Sequence, residues 1–322
     1  MACRFPYPAA RRPGEKPIIF RVGERPNPLA EGWDALELPC GQCVSCRLEK
    51  ARVWMIRIMH EAAWLEEEHG LYSSFITLTY SEKFLPMYGT LVPKHLQDFF
   101  KRFRRRIEPR KVRYYACGEY GSRCVKHEIS DCPACGAVQR PHYHAIVLGF
   151  DFPDRHYVGE REGFFCYESK LLSELWPYGF HEIGSCSCES AGYVARYVMK
   201  KQTGRSVEEG YYLRYEPLLD NWFEVEPEFA VMSRRPGIGR PWLEKYKEEM
   251  YPADEVCIPG RGVFKKPPRY YDEIYGLSYP EEMEKVKAAR KEFFDENVEK
   301  GPDAFSKALV EDAKLKLLRR KL

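Results

Sequence analysis

Arg140-Pro141-His142-Tyr143-His144-Ala145-Ile146-Val147-Leu148-Gly149 reads as a strand that opens on two histidines and continues as an apolar run. Residues two apart on a strand share a face, so His142 and His144 project together while the apolar residues seat the strand in a sheet. A rigid strand of this kind can present two imidazoles to one metal ion; such a pair can equally be structural. Working outward, Phe75–Tyr80 is rich in β-branched and aromatic residues and reads as a second strand, and Val112–Cys117 as a third. Ile18–Val22 and Phe180–Ile183 are shorter candidates. The spacing predicts a helix over 47–68 with the stripe Leu48, Ala51, Met55, Ile58, Met59, Ala62 and Leu65. Further helices are expected from Pro93 to about Ile107, over 171–176, and over Ser190–Lys201 with Ser190 as N-cap. Strands and helices follow one another without regular βαβ alternation, which favours an α+β fold with a largely antiparallel sheet.

The chain has 322 residues, enough for a core domain with appendages. No run approaches the ~18 apolar residues of a membrane span, and Met1-Ala2-Cys3-Arg4-Phe5-Pro6 has no signal-peptide apolar segment, so a soluble intracellular protein is expected. The net charge of +3 is too small to argue for nucleic acid. Its distribution is more informative: Lys101 to Arg113 holds eight Lys or Arg and one acid, Glu108. On the helix from Pro93, Leu96, Phe99, Phe100, Phe103 and Ile107 form the core stripe, leaving Lys101, Arg102, Arg104, Arg105 and Arg106 outward. That face reads as a phosphate-backbone contact beside the histidine site, or as a solvated face. Ser233-Arg234-Arg235-Pro236-Gly237-Ile238-Gly239-Arg240 is a stiff basic loop that either touches DNA through Arg234 and Arg235 or is a surface turn.

Two more groups bear on the histidines. Gly118-Glu119-Tyr120-Gly121 ends the strand before them; if the two strands pair, Glu119 reaches the same metal, although the glycines blur its phase. Two imidazoles and one carboxylate leave coordination positions for water and a phosphate oxygen. Farther on, Tyr193 and Tyr197 share one helix face, where such a pair is otherwise packing. A phenol of pKa ~10 is a poor nucleophile unless the phosphate is polarised and positive charge is near, and Lys200 is placed to supply it. The combination suggests metal-assisted phosphoryl transfer to a phenol oxygen, with DNA as substrate. Tyr197, one turn before Lys200, is expected to attack first.

Twelve cysteines in an intracellular chain point to metal before disulfides. Cys40-x2-Cys43-x2-Cys46 supplies three ligands, with Cys3 as the candidate fourth for a structural Zn²⁺. An iron–sulfur cluster competes, but the ferredoxin run would need cysteine at position 50, which is Lys50. Cys186-x-Cys188 is weak evidence for a site, and Cys117, Cys166 and Cys257 read as small apolar residues.

The chain resembles the HUH endonucleases, in particular the rolling-circle replication initiators of gokushovirus-like microviruses. Phe75-Ile-Thr-Leu-Thr79, Pro141-His-Tyr-His144 and Tyr193-x3-Tyr197-x2-Lys200 carry the resemblance in family order. Pro39 to Arg47, Gly118 to Gly121 and Met232 to Gly239 extend it. It implies an HUH endonuclease fold, with the histidine strand at the centre of an antiparallel sheet flanked by helices and the tyrosine helix alongside. It further implies nicking of one strand at an origin through a 5′-phosphotyrosine, later rejoining, and Mg²⁺ or Mn²⁺ held by His142, His144 and Glu119. Tyr193 and Tyr197 become nucleophiles and Lys200 the motif lysine. One departure stands out. The connection between the two central strands contains Cys124-x2-His127-x4-Cys132-x2-Cys135, a second zinc-ligand spacing that would staple the hairpin. The implied organisation is a Cys-rich segment 1–46, a core 47–205 with the insertion 122–136, and an extension 206–322 with the basic loop and a charged helical tail from about Pro280. No GxxxxGK[ST] phosphate loop is present, so a host helicase and polymerase in the bacterial cytoplasm are implied partners of an enzyme acting on origin DNA. A plasmid relaxase, a single-strand transposase, or a non-catalytic zinc-stabilised nucleic-acid-binding protein are the alternatives.

Overall fold

A computed structural model describes residues 3–12, 15–20, 32–124, 139–161, 163–197, 205–216, 219–258 and 261–297, with a few later positions. In chain order the N-terminal strands are β1 (Tyr7–Arg11), β2 (Ile18–Ile19) and β3 (Asp34–Leu38). Then come α1 (Val44–His69), β4 (Ser74–Tyr80), α2 (Pro93–Ile107), β5 (Arg113–Cys124), β6 (Gln139–Leu148), β7 (His156–Arg161), β8 (Phe164–Glu168) and α3 (Lys170–Leu175). They are followed by β9 (Gly179–Ser185), α4 (Cys188–Tyr197), α5 (Arg205–Glu208), β10 (Leu213–Glu216), β11 (Asn221–Glu224) and β12 (Phe229–Met232). The C-terminal part holds α6 (Arg240–Ala253), β13 (Glu255–Ile258), β14 (Gly262–Lys265), α7 (Arg269–Ser278) and α8 (Pro280–Asn297).

The expected α+β architecture is found. Seven strands, in the order β12-β5-β6-β4-β9-β8-β7, form one sheet whose paired strands are all antiparallel. The histidine strand β6 lies inside it, between β5 and β4. Each face has its own core. On one face Ile76, Leu78, Ala116, Tyr143, Ala145 and Val147 pack against Leu96, Phe99, Phe100 and Phe103 of α2. On the other, Phe75, Tyr115, Cys117, Ile146 and Leu148 pack against Met55 and Ile58 of α1 and Val194 of α4. The period of two in β4, β5 and β6 accounts for this division.

Several local expectations change. β5 runs on through Gly118 to Gly121 as far as Cys124, so Glu119 is a strand residue with a defined phase. Helix α4 is capped by Ser187, not Ser190. The Ser190 N–H donates to Ser187 Oγ at 3.2 Å and the Ser187 N–H to Ser190 Oγ at 2.8 Å, a reciprocal capping box. The expected stripe of α1 is only half of its buried surface. Arg57, His60 and Glu61 are buried too, because the C-terminal elements cover a second side of the helix.

That second side is polar but paired. The Arg57 guanidinium lies between the Trp54 and Tyr270 rings, 4.2 and 3.9 Å from their centroids, and donates to the Ile238 carbonyl. The Gly239 N–H donates to Glu61 Oε2 at 2.6 Å, and Arg113 Nη1 lies 2.9 Å from Glu61 Oε1. Gly239 has φ +82°, and a Cβ there would run into the Tyr271 hydroxyl, so only glycine fits. The glycines of the basic loop thus serve its docking onto α1. β12 also comes from beyond residue 205 and pairs with β5, so core and extension share one sheet and one hydrophobic core. Cys117 and Cys166 are buried as expected, whereas Cys257 is exposed.

His60 stacks on Trp242 with centroids 3.5 Å apart, donates through Nε2 to the Cys257 carbonyl, and accepts at Nδ1 from the Tyr271 hydroxyl. Burial lowers its pKa from 6.5 to about 3. Because the folded value is depressed, this site costs nothing above the unfolded value. As pH falls below it, the unfolded chain binds a proton that the fold excludes. Stability should fall by up to about 1.4 kcal/mol per pH unit from this site between about pH 6 and pH 4. Urea denaturation across that range should show the slope in the wild type and a reduced slope in His60→Phe.

Candidate active site and cysteine centre

The histidine face is built by alternation on three strands. Across the ladders Thr79 stands opposite His142 and Thr77 opposite His144. Thr79 Oγ1 lies 2.9 Å from His142 Nδ1, and Thr77 Oγ1 lies 3.0 Å from His144 Nδ1. The two threonines of Phe75-Ile-Thr-Leu-Thr79 therefore fix both rings by their inner nitrogens. This supporting role was not read from the sequence, although the alternation of the motif carries it.

Glu119 is opposite His142 in register, and its Oε1 reaches diagonally to His144 Nε2 at 2.9 Å. Both side chains are only 4% exposed. A neutral imidazole nitrogen and a carboxylate oxygen this close need a proton or a cation between them. Cis ligands of one ion with bonds of about 2.1 Å lie about 3 Å apart, so the pair fits a metal site. A hydroxyl can donate or accept, so Thr77 can serve either tautomer of His144 without moving. The His142 and His144 centroids are 6.3 Å apart, and a Cβ on Gly121 would come within 2.9 Å of His142 Nε2. Gly121 thus keeps the approach to that nitrogen open.

Helix α4 brings Tyr193 to the same place. Its ring packs edge-on against His144, centroids 5.3 Å apart, and against Phe75 at 6.1 Å. It is 7% exposed, and the Arg196 guanidinium lies 5.9 Å from its centroid. Tyr197 ends the helix, but its side chain, like Lys200, lies outside the described residues. So does most of the second cysteine set: His127, Cys132 and Cys135 are not described, and of Cys124 only the backbone is.

The first cysteine set does assemble. The Sγ atoms of Cys3, Cys40, Cys43 and Cys46 all lie within 4.8 Å of one another and could hold zinc. Cys3 and Cys43 are 3.8 Å apart. Tetrahedral ligation with Zn–S bonds of about 2.3 Å implies an edge of about 3.8 Å, whereas a disulfide requires about 2.05 Å. Backbone N–H groups of Cys40 and Cys43 donate to Cys3 Sγ and Cys40 Sγ at 3.2 and 3.3 Å. Burial would raise the Cys43 thiol, but N–H groups of Arg4 and Cys46 and neighbouring thiols more than offset it, to about 6. Burial and the neighbouring thiols, Cys43 among them, push Cys46 up to about 12. Without a cation the four sulfurs cannot ionise together. Cys43 is also the N-cap of α1, so the centre sits at that helix's first turn.

The basic residues fall elsewhere. Helix α2 packs on the sheet face opposite the histidines, so Lys101, Arg104, Arg105 and Arg106 do not line the site. Arg102 donates to the Leu175 carbonyl at 3.1 and 2.9 Å, which ties α2 to α3. Arg234 and Arg235 are exposed on the loop docked to α1.

The family model for replication-associated proteins of the ORF2 type matches residues 73–128 and 132–202, which contain both histidines, Glu119 and both tyrosines. The chain is 31% identical over 266 residues to the replication-associated protein VP4 of Bdellovibrio phage phiMH2K, covering 79% of this chain and 73% of that protein. It is 30% identical over 257 residues to the replication-associated protein ORF2 of Spiroplasma virus 4, covering 76% and 70%. The replication-associated protein ORF4 of Chlamydia phage 1 is 28% identical over 172 residues, covering 51% and 38%. The chain belongs to this family of phage replication-associated proteins. No solved structure matches it.

For the cysteine centre, metal analysis of purified protein should find tightly held zinc. Cys43→Ser should lose it and lower the melting temperature, while a folded wild type free of zinc would count against the centre.

Proposed function

We propose that this chain is a replication initiator of a small single-stranded DNA phage, acting in the bacterial host cytoplasm as an HUH endonuclease. It nicks one strand at the origin and later rejoins the displaced strand. The observation that carries the reading is the convergence of His142, His144 and Glu119 with Tyr193 on one sheet face, the imidazoles braced by Thr77 and Thr79. Family membership supports a role in replication.

A divalent ion, Mg²⁺ or Mn²⁺, held by His142, His144 and Glu119 would polarise and orient the scissile phosphate. The residues do the rest. The phenol oxygen of Tyr193 or Tyr197 attacks phosphorus, the new P–O bond forms, and the bond to the 3′ oxygen breaks. The phenol proton leaves to solvent or a nearby base, and the departing strand takes up a proton as a 3′-OH. Lys200 and Arg196 would offset negative charge developing on the phosphate. The attached 5′-phosphotyrosine retains the energy of the cleaved bond, so attack by a 3′-OH on it rejoins DNA. A second phenol allows another cleavage while the first holds a strand end. The structural zinc and the cations of α2, Arg234 and Arg235 would act in stability and in holding DNA backbone, and a host helicase and polymerase would open and copy the template.

With origin DNA and Mn²⁺, wild-type protein should nick and form a covalent adduct. His142→Ala or His144→Ala should abolish cleavage while retaining binding, because phosphate contacts supply most affinity. Tyr193→Phe with Tyr197→Phe should fold and bind but form no adduct on a denaturing gel. Each single variant should lose repeated circle production, and at least one should still nick. An adduct in the double variant would sink the tyrosine assignment.

A further inference from the structure

The histidine face of the sheet extends beyond the part that α1 and α4 cover. On β9 Phe180 stands opposite Thr79, and Glu182 opposite Thr77. Thr79 in turn stands opposite His142, and His142 opposite Glu119. One transverse row therefore reads Glu119, His142, Thr79, Phe180 across four strands. The first three members belong to the site, and the fourth is a phenylalanine that is 66% exposed. Its ring has no aromatic partner among the described residues, so the fold makes little use of it.

The position of that ring is well defined. A Cβ on Gly179 would run into the backbone of Ser81 and the carbonyl oxygen of Thr79, so glycine lets β9 close tightly on β4 at this point. The Ser81 N–H donates to the Tyr178 carbonyl at 3.0 Å, and Trp176 Nε1–H donates to the Thr79 carbonyl at 3.1 Å. Beside the ring, Glu182 is neutralised by Arg161 at 3.1 Å, whose own side chain is 73% exposed. Two strand spacings separate β9 from β6, about 10 Å, which is within reach of a nucleotide adjoining a phosphate at the imidazoles.

We infer that Phe180 is a stacking platform for an unpaired base of the DNA strand presented to His142 and His144. The inference rests on the nuclease reading of that site and deepens it. An apolar ring open to solvent beside a phosphate-handling site suits the π-face of a base, which becomes available when the strand is single. Stacking of this kind tolerates any base, so Phe180 would hold the strand in place without selecting sequence.

The test measures binding of labelled oligo(dT), and of a random duplex, by fluorescence anisotropy with EDTA present so that no cleavage intervenes. Phe180→Ala and Phe180→Leu should bind oligo(dT) roughly 5- to 150-fold more weakly, the range that about 1–3 kcal/mol per stacked base gives. Phe180→Trp should restore binding, and duplex affinity should not change in any variant. The exposed position leaves folding intact, which thermal melting checks. Unchanged oligo(dT) binding in Phe180→Ala, equal losses on duplex, or full retention by Phe180→Leu would overturn the stacking role. The nuclease reading is scored separately: a wild type that never cleaves with Mn²⁺, while Phe180→Ala still loses oligo(dT), upholds the platform and removes the nuclease.

Discussion

The alternation of β6 is the constraint on which the rest of the structure depends. His142 and His144 take one face and Tyr143, between them, takes the other. There the Tyr143 hydroxyl lies 2.8 Å from that of Tyr80 and accepts from the Val92 N–H at 2.7 Å, just before α2 begins. Burial drives the Tyr143 phenol upward to about 12, so it stays a neutral hydrogen-bonding group. A slip of one residue would bury both imidazoles in the phenylalanine core under α2 and expose Tyr143. With ladders on both sides and a buried anchor on the far face, the strand has one register. The two histidines are therefore positioned by the whole sheet, and the threonines set only their ring orientation.

Helix α1 is the second organiser, because it joins three regions distant in sequence. Its first turn carries two of the four clustered cysteines, its apolar stripe closes the sheet, and its middle receives the C-terminal elements through Arg57, His60 and Glu61. Burial raises the Glu61 carboxyl, and Arg113 and the Gly239 N–H pull it back. Such a buried set is costly to break from one side, since the remaining partner keeps its desolvation penalty. The extension after residue 205 is thereby held to the core by polar groups with few alternative placements as well as by Trp242, Leu243 and Tyr271.

Period explains what was legible in the sequence. The bounds of α2, the phase of β4 and β6, and the α+β class follow from spacings of 3.6 and 2 that tertiary packing reinforced. Cys3, Cys40, Cys43 and Cys46 were legible because ligand spacing is local apart from one member. The hairpins β7–β8, β10–β11 and β13–β14 were not, since short strands with mostly exposed side chains show no alternation. Neither was the second buried side of α1. Arg57, His60 and Glu61 look like a solvated face until the segments that cover them, far along the chain, are in place. Within the site, the partnership of Thr77 and Thr79 with the histidines depends on strand register, which sequence spacing alone does not supply.

The sheet also separates charge from chemistry. The richest run of cations in the chain is on α2, and α2 is on the wrong face. Its apolar stripe is taken up by Ile76, Leu78, Ala145 and Val147, so its basic side must point away from the sheet and from the imidazoles. The sheet and the helix together put those charges well beyond the screening length of about 8–10 Å at ordinary ionic strength. Their field at the site is small, and they can hold only DNA that passes around the sheet edge. What compensates a phosphate at the histidines must come from nearer, from Arg196 over the Tyr193 ring and from Arg161 on the open shelf. A basic run thus locates a surface where backbone can rest, whereas the alternation of a strand locates the groups that can act on it. In this chain the two lie on opposite sides of one sheet.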